Sequence, residues 1–259
     1  MYDDFASVYD RLMDDYDYDA WSMHYLSLIR DEKGDLPARA AECACGTGSL
    51  TVRFARAGIA VTGVDLSAAM LRRAEEKARR WGVQVPFVRQ DMRRLALTRR
   101  VGAVMCTCDG VNYLTEPRDV RAFFAAAYAA LLPGGTLCFD CSSRHKLEET
   151  MGDSFFGEER DGLATLWQNR LNRETHVITM DVTFFVREED GRYRRFREQH
   201  RQRAHSREEI TAWLREAGFT HIRAYGEMRL DAPKQGDMRI HFAARKPASA
   251  PDRQEEFIS

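Results

Sequence analysis

The densest chemistry in this sequence lies where short apolar runs stop. Glu42-Cys43-Ala44-Cys45-Gly46-Thr47-Gly48 closes one run, and Asp65 closes the next, 19 residues after Gly46. The two glycines permit a tight turn and let the backbone approach a ligand closely. Glu42 sits within its run, so its carboxylate is buried unless something there uses it. Asp65 can accept hydrogen bonds from both hydroxyls of a ribose, although Asp-Leu-Ser is also ordinary helix-entry chemistry. A dinucleotide site would read G-x-G-x-x-G, and Thr51 stands where the third glycine belongs. The G-x-x-x-x-G-K-[ST] phosphate loop is missing too. A cofactor with ribose and adenine but no phosphate fits this pattern better.

Three other patterns invite chemistry. Glu198 and His200 share a face with Phe196 by two-residue alternation, so either can serve a substrate as base or orienting group. The alternative is a solvated hydrogen-bonding pair. Arg192, Arg194, Arg195, Arg197, Arg201 and Arg203 crowd one segment opposed only by Glu198. They suit an anionic substrate, including RNA with Tyr193 and Phe196 as stacking faces, or a charged edge strand that resists aggregation. The cysteines fall as Cys43-x-Cys45, Cys106-x-Cys108 and Cys138-x-x-Cys141. Zinc ligands usually come from turns rather than strands, so these read as small buried hydrophobes and no metal is expected.

The elements that must position these residues alternate. Apolar runs at 40–45, 59–64, 83–88, 101–108 and 136–141 read as strands. Between them lie helices ending near Ala57-Gly58, spanning Ala68 to Trp81 behind the N-cap Ser67, and starting at Pro117. Pro133-Gly134-Gly135 reads as the stop after that last helix. This rhythm is that of an α/β fold with a parallel sheet. From 175 to 186 the period becomes two, with Ile178, Met180, Val182, Phe184 and Val186 on one face, flanked by strands at 164–171 and 192–203. A capping box, Ser206-x-x-Glu209, opens a final helix, and strands near 220–227 and 239–244 end the fold. The expected organisation is a helical lid at 1–37, an α/β core at 38–144, a small antiparallel β insertion at 145–204 on the substrate side, a return to the core at 205–246, and a loose tail at 247–259.

Glu42 to Gly48, Val64-Asp65-Leu66-Ser67, Gln90-Asp91-Met92 and Pro133-Gly134-Gly135, in that order, resemble the motifs of class I S-adenosylmethionine (SAM)-dependent methyltransferases. The likeness covers residues 38–142. Phe5-Ala-Ser-Val-Tyr9-Asp10 and Asp109-Gly-Val-Asn112-Tyr113-Leu114 are similar to a bacterial small-molecule branch of that family. The resemblance implies a Rossmann-like seven-stranded sheet with helices on both faces, SAM as cofactor and S-adenosylhomocysteine as product. It also implies roles. Gly46 and Gly48 approach the methionine and ribose portion near Glu42, and Asp65 holds the ribose. Asp91 binds the adenine amino group with Met92 against the ring, and Leu66 and Met70 are further cofactor-binding residues. Cys108 and Asp109 lie beside the methionyl end, and Tyr9 covers the cofactor from the lid. Ala44 stands where the family usually has glycine, and its methyl is expected to be tolerated. Tyr9, Tyr113 and Trp21 are candidate aromatic faces for the sulfonium cation, and Tyr113 joins His200 and Glu198 as a candidate catalytic group.

Composition sets limits on these readings. The charge balance is 39 basic against 40 acidic residues, which argues against coating nucleic acid by bulk charge. That near-zero sum hides −7 in residues 1–35, +7 in 71–100 and +5 in 192–203. The acidic lid is therefore expected to pack beside a basic segment over the cofactor cleft. The longest apolar stretch, Phe123 to Leu132, falls short of the ~20 residues of a membrane span. The N-terminus is acidic where a signal peptide is basic, so a cytoplasmic protein with reduced thiols is expected. The functional expectation is methyl transfer to a small-molecule nitrogen or oxygen. An RNA-modifying enzyme and a non-catalytic SAM-binding module are the alternatives.

Overall fold

The computed structural model describes residues 2–248. Two helices open the chain, α1 (Tyr2–Leu12) and α2 (Tyr18–Leu28). The core then alternates β1 (Arg39–Cys43), α3 (Ser49–Arg56), β2 (Ala60–Asp65), α4 (Ala68–Arg80), β3 (Phe87–Arg89), β4 (Val101–Cys106), α5 (Pro117–Ala130) and β5 (Leu131–Ser142). Four antiparallel strands follow: β6 (Phe155–Arg160), β7 (Leu163–Asn172), β8 (Val177–Arg187) and β9 (Tyr193–Arg203). The chain returns through α6 (Arg207–Glu216), β10 (Thr220–Tyr225) and β11 (Arg239–Arg245). The main sheet has the order β10-β11-β5-β4-β1-β2-β3, parallel except at β11 and β10, and β6-β7-β8-β9 form a second sheet. This is the expected Rossmann-like seven-stranded architecture with a small antiparallel sheet before the last helix. The tail read as loose from residue 247 lies, beyond residue 248, outside the described residues.

Local chemistry accounts for the boundaries. The Ser67 hydroxyl accepts the Met70 N–H at 3.2 Å and caps α4, while Ser206 and Glu209 cap α6 reciprocally. Alternation then sends neighbouring β1 residues to opposite faces. Ala41 and Cys43 join a core with Phe123, Phe124 and Trp213 from α5 and α6, while Ala40 joins Trp21, Tyr25, Leu50 and Phe54 from α2 and α3. Ile178, Met180, Val182, Phe184 and Val186 are all buried, and Val8 of α1 seats against them. Burying such side chains contributes roughly 1.5–3 kcal/mol each, which fixes α1 under the second sheet.

Several boundaries differ from the sequence reading. The third strand is only Phe87–Arg89, because Pro86 lacks an N–H for the ladder. Strand β4 ends at Cys106 rather than residue 108, since Cys108 and Asp109 adopt left-handed backbone at φ 53° and 54°. Pro133-Gly134-Gly135 lies inside β5 as an irregular start to the strand rather than a stop before it. Strand β6 and a π-helical turn, His145–Met151, had no counterpart in the pattern.

His205 and His241 are buried, and burial lowers both to about 4, a shift that at His205 is reinforced by Arg203 and at His241 is partly opposed by Asp140. Their folded values lie below the unfolded value near 6.5. Each therefore contributes stability that is intact above pH 6.5 and falls as pH drops towards 4. Between pH 7 and 5 the loss is about 2 kcal/mol per group. Urea unfolding of wild type and His241→Gln is expected to show a pH dependence flatter by that amount in the variant. Parallel curves would contradict the assignment.

Candidate active site

The carboxyl ends of β1, β2 and β4 open into a cavity of about 960 Å³, roofed by α1 and the inner face of the second sheet. Ligands bind at such strand ends in open α/β sheets. The cavity is lined at one end by Asp65, Leu66, Met70, Asp91 and Met92, and in its middle by Glu42, Ala44, Gly46, Cys108 and Asp109. Tyr9, Tyr113 and His200 complete the wall. Thus nearly all the residues singled out in the sequence share one chamber.

Asp65 organises the first turn. Its carboxylate accepts the Gly46 N–H and the Ser67 N–H, both at 2.8 Å. Burial raises its pKa, while these backbone bonds oppose the rise. Glu42 accepts hydroxyl hydrogen bonds from Thr51 and from Thr107, the latter at 2.7 Å. Burial brings its carboxyl up to about 7, against the pull of those hydroxyls. Its protonation therefore changes near neutral pH inside the chamber. Asp91 accepts the Arg93 N–H and pairs with the Arg93 guanidinium, which chiefly holds it below the usual carboxylate range.

Three sequence expectations are corrected. Gly48 is not on the cavity wall. A Cβ there would meet the Ala74 Cβ at 2.9 Å, so this glycine serves close packing of β1 and α3 on α4. Trp21 is buried away from the cavity, stacked near Tyr16 and His241 and under Arg239. Glu198 and His200 are not a solvated pair. They are 6% and 7% exposed on the inner face of β9, and only His200 reaches the cavity. Ala44 goes further than a narrowed turn, since it takes left-handed backbone at φ 53°, a conformation that costs roughly 1–2 kcal/mol without glycine.

His200 stands against Phe5 of α1, ring centroids 5.0 Å apart, and its Nδ1 lies 3.3 Å from the Tyr113 hydroxyl. Burial lowers its pKa, partly offset by Asp109, so the imidazole is held neutral. Asp109 accepts from the Ser142 hydroxyl and the Gln202 amide at 3.1 Å and pairs with Arg239 at 3.2 Å. Arg239 also contacts Asp140, which accepts the Tyr25 hydroxyl and the Asp109 N–H. Burial pushes the Asp109 carboxyl up, but Arg239, then Lys146, hold it below the ordinary carboxylate value.

Helix α1 is tied to the glycine loop by charge. Lys77 of the basic segment donates to Asp10 at 2.9 Å, Thr47 at 3.0 Å and Ser49 at 2.5 Å, and Thr47 donates to Asp10 at 2.6 Å. Arg160 of β6 pairs with Asp14 and Asp15. The acidic N-terminal segment thus lies beside a basic one over the cleft.

Sequence reasoning missed Lys77, Lys146, Trp167, Met180, Gln202 and Arg239. Gln202 was accessible by extending the His200 alternation one step. The others become site residues only through tertiary contact. The cysteine-bearing strands are adjacent, with Cys43 opposite Cys106, and all six thiols are free. Among the described residues, no group of three His, Cys, Asp or Glu could hold a metal ion, and no helix is long and apolar enough to cross a membrane.

The chamber suits SAM. It is large enough for a nucleoside cofactor with a small acceptor beside it, and it joins a backbone-gripped acid, an apolar end and a buried carboxylate. Residues 40–135 match the methyltransferase domain family model. A methyltransferase-named protein of Geobacillus sp. (strain WCH70) is 35% identical over 95% of this chain and 99% of its own length. A SAM-dependent methyltransferase from Clostridium acetobutylicum ATCC 824 superposes with a TM-score of 0.83 at 28% identity, covering 95% of this chain and 99% of that one. SAM-bound CalS10, an amino pentose methyltransferase from Micromonospora echinaspora, gives 0.63 at 27% identity over 81% and 84%. With its cofactor chamber assembled from the expected strand ends and a full-length relative at this identity, the chain belongs to the class I SAM-dependent methyltransferases.

Proposed function

We propose that the enzyme methylates a nitrogen or oxygen of a small molecule by in-line displacement, with the acceptor held between Cys108-Asp109 and the inner face of β8 and β9. The observation that carries this reading is the neutral, buried His200 on the cavity wall, steadied by Tyr113. SAM supplies an activated methyl on a sulfonium leaving group. The protein's task is to align the nucleophile, and alignment alone is worth ~7–11 kcal/mol. In this reading Asp65 receives the ribose hydroxyls, and Leu66, Met70, Asp91 and Met92 enclose the adenine. Gly46, Ala44 and Glu42 flank the methionine portion, Cys108 and Asp109 line its end, and Tyr9 closes the lid over it. His200 takes the acceptor's proton.

The CalS10 likeness supports a small acceptor. The six arginines do not favour RNA. Arg192, Arg194 and Arg203 pair with Asp190, Glu188 and Glu209, and the exposed Arg195, Arg197 and Arg201 occupy the face of β9 opposite His200. Radiolabelled methyl transfer from SAM to panels of phenols and amines tests the reading. For a hydroxyl acceptor, His200→Asn is expected to lower kcat by about 10²–10⁴ with S-adenosylhomocysteine affinity unchanged. Equal kcat in the variant would remove His200 as base. Transfer to RNA alone would replace the small acceptor.

A further inference from the structure

Among the described residues Lys146 is the one cavity-lining lysine, and it stands on the π-helical turn His145–Met151. Such turns are rare and frequently mark functional sites. The turn sends Lys146 and Met151 into the chamber, with the Lys146 N–H anchored on the Ser143 hydroxyl at 3.1 Å. The Lys146 ammonium donates to the Ser142 hydroxyl at 3.1 Å, and among the described residues no carboxylate lies within ion-pair distance of it. Two of its three donors thus remain for a ligand.

The neighbours fix where that ligand lies. Ser142 donates to Asp109, Gln202 donates to the same carboxylate oxygen, and His200 sits two residues from Gln202 on the same face of β9. Lys146 and His200 therefore flank Asp109 from two sides, both facing the chamber. Arg239 is committed to Asp109 and Asp140. The formal charges of Asp109, Asp140, Arg239 and Lys146 sum to zero, so this cluster by itself presents no net negative charge to an anion. Trp167, Met180 and Phe5 add apolar surface to this end, and Glu158 of β6 also lines the chamber.

Resting on the small-molecule reading above, we infer that the acceptor carries a carboxylate, received by the Lys146 ammonium, on an apolar or aromatic body whose nucleophile faces His200. A single ammonium suits a monoanion better than a phosphate dianion, which would need further free cations. Recognition of the acid thus belongs to Lys146 and not to the arginines on the outer face of β9.

The test uses enzyme saturated with S-adenosylhomocysteine and ligand-observed NMR. Matched aromatic carboxylates and their primary amides are titrated, beginning with benzoate against benzamide. The carboxylates are expected to bind about tenfold tighter or more. Lys146→Met is expected to erase that preference and Lys146→Arg to keep most of it, with S-adenosylhomocysteine affinity within about twofold in both. Retained cofactor affinity also shows that both variants are folded. Equal binding of acid and amide to wild type would overturn the proposal, as would a preference that survives Lys146→Met. Loss of cofactor affinity in Lys146→Met would assign the ammonium to the cofactor and overturn it equally. Failure of wild type to bind S-adenosylhomocysteine would instead strike the underlying reading of the chamber.

Discussion

Replacing Asp65 with alanine is expected to weaken S-adenosylhomocysteine binding by about 3 kcal/mol, roughly a hundredfold, in calorimetric titration. Two losses combine in that figure. In the proposed placement, the carboxylate stops receiving the ribose. It also stops gripping the Gly46 and Ser67 N–H groups at 2.8 Å, so the glycine loop and the entry to α4 lose their common anchor. Leaving buried donors without partners costs about 1–3 kcal/mol each, and the loop that must meet the cofactor is the one released. Asp65→Asn keeps one carbonyl acceptor and is expected to fall between the two. A Kd for Asp65→Ala within about threefold of wild type would mean that the ribose lies elsewhere.

The largest stability effect is expected at Arg239. Its guanidinium joins Asp109, which accepts the Gln202 amide, to Asp140, which is 0% exposed and accepts the Tyr25 hydroxyl. Arg239→Met leaves the buried Asp140 and the partly buried Asp109 without the guanidinium that joins them. Breaking a buried pair in this way costs about 3–5 kcal/mol, which for a chain of this length lowers Tm by roughly 10 °C. The sign with pH follows from Asp109, whose folded pKa lies below the unfolded one. Its stabilisation is present above the ordinary carboxylate range and is lost as pH falls through the lowered value. The gap between wild type and variant is therefore widest near neutral pH and narrows in acid. Arg239→Lys retains a charge and is expected to lose less. A Tm for Arg239→Met within about 2 °C of wild type would show that the triad contributes little.

The chamber wall formed by the first strand ends was legible in the sequence because its parts carry local signatures. Glycines, an acid after an apolar run and an N-cap serine mark the turn at residues 42–48 and the entry to α4 without any knowledge of tertiary contacts. The α/β rhythm and the alternation of β8 were legible for the same reason, as their periods are imposed by burial. Strand β6 was not, because every residue from Phe155 to Arg160 is exposed and no face of it repeats. Gly48 was misread because a glycine that meets a ligand and one that meets a helix look alike until Ala74 is in place. His200 reads as a surface residue in the sequence but is buried, because Phe5 of α1, 195 positions away in sequence, packs against it. The end of the chamber proposed for the acceptor draws on Tyr113, Lys146, His200, Gln202 and Arg239, from four separated segments, and no spacing rule links those segments.

The most direct test of the cofactor placement is a crystal structure with S-adenosylhomocysteine bound. The expected result has the ribose hydroxyls on Asp65, the adenine between Leu66 and Met92, and the sulfur facing the chamber that holds His200 and Lys146. A ligand whose sulfur faces away from that chamber, or whose ribose does not reach Asp65, would contradict it.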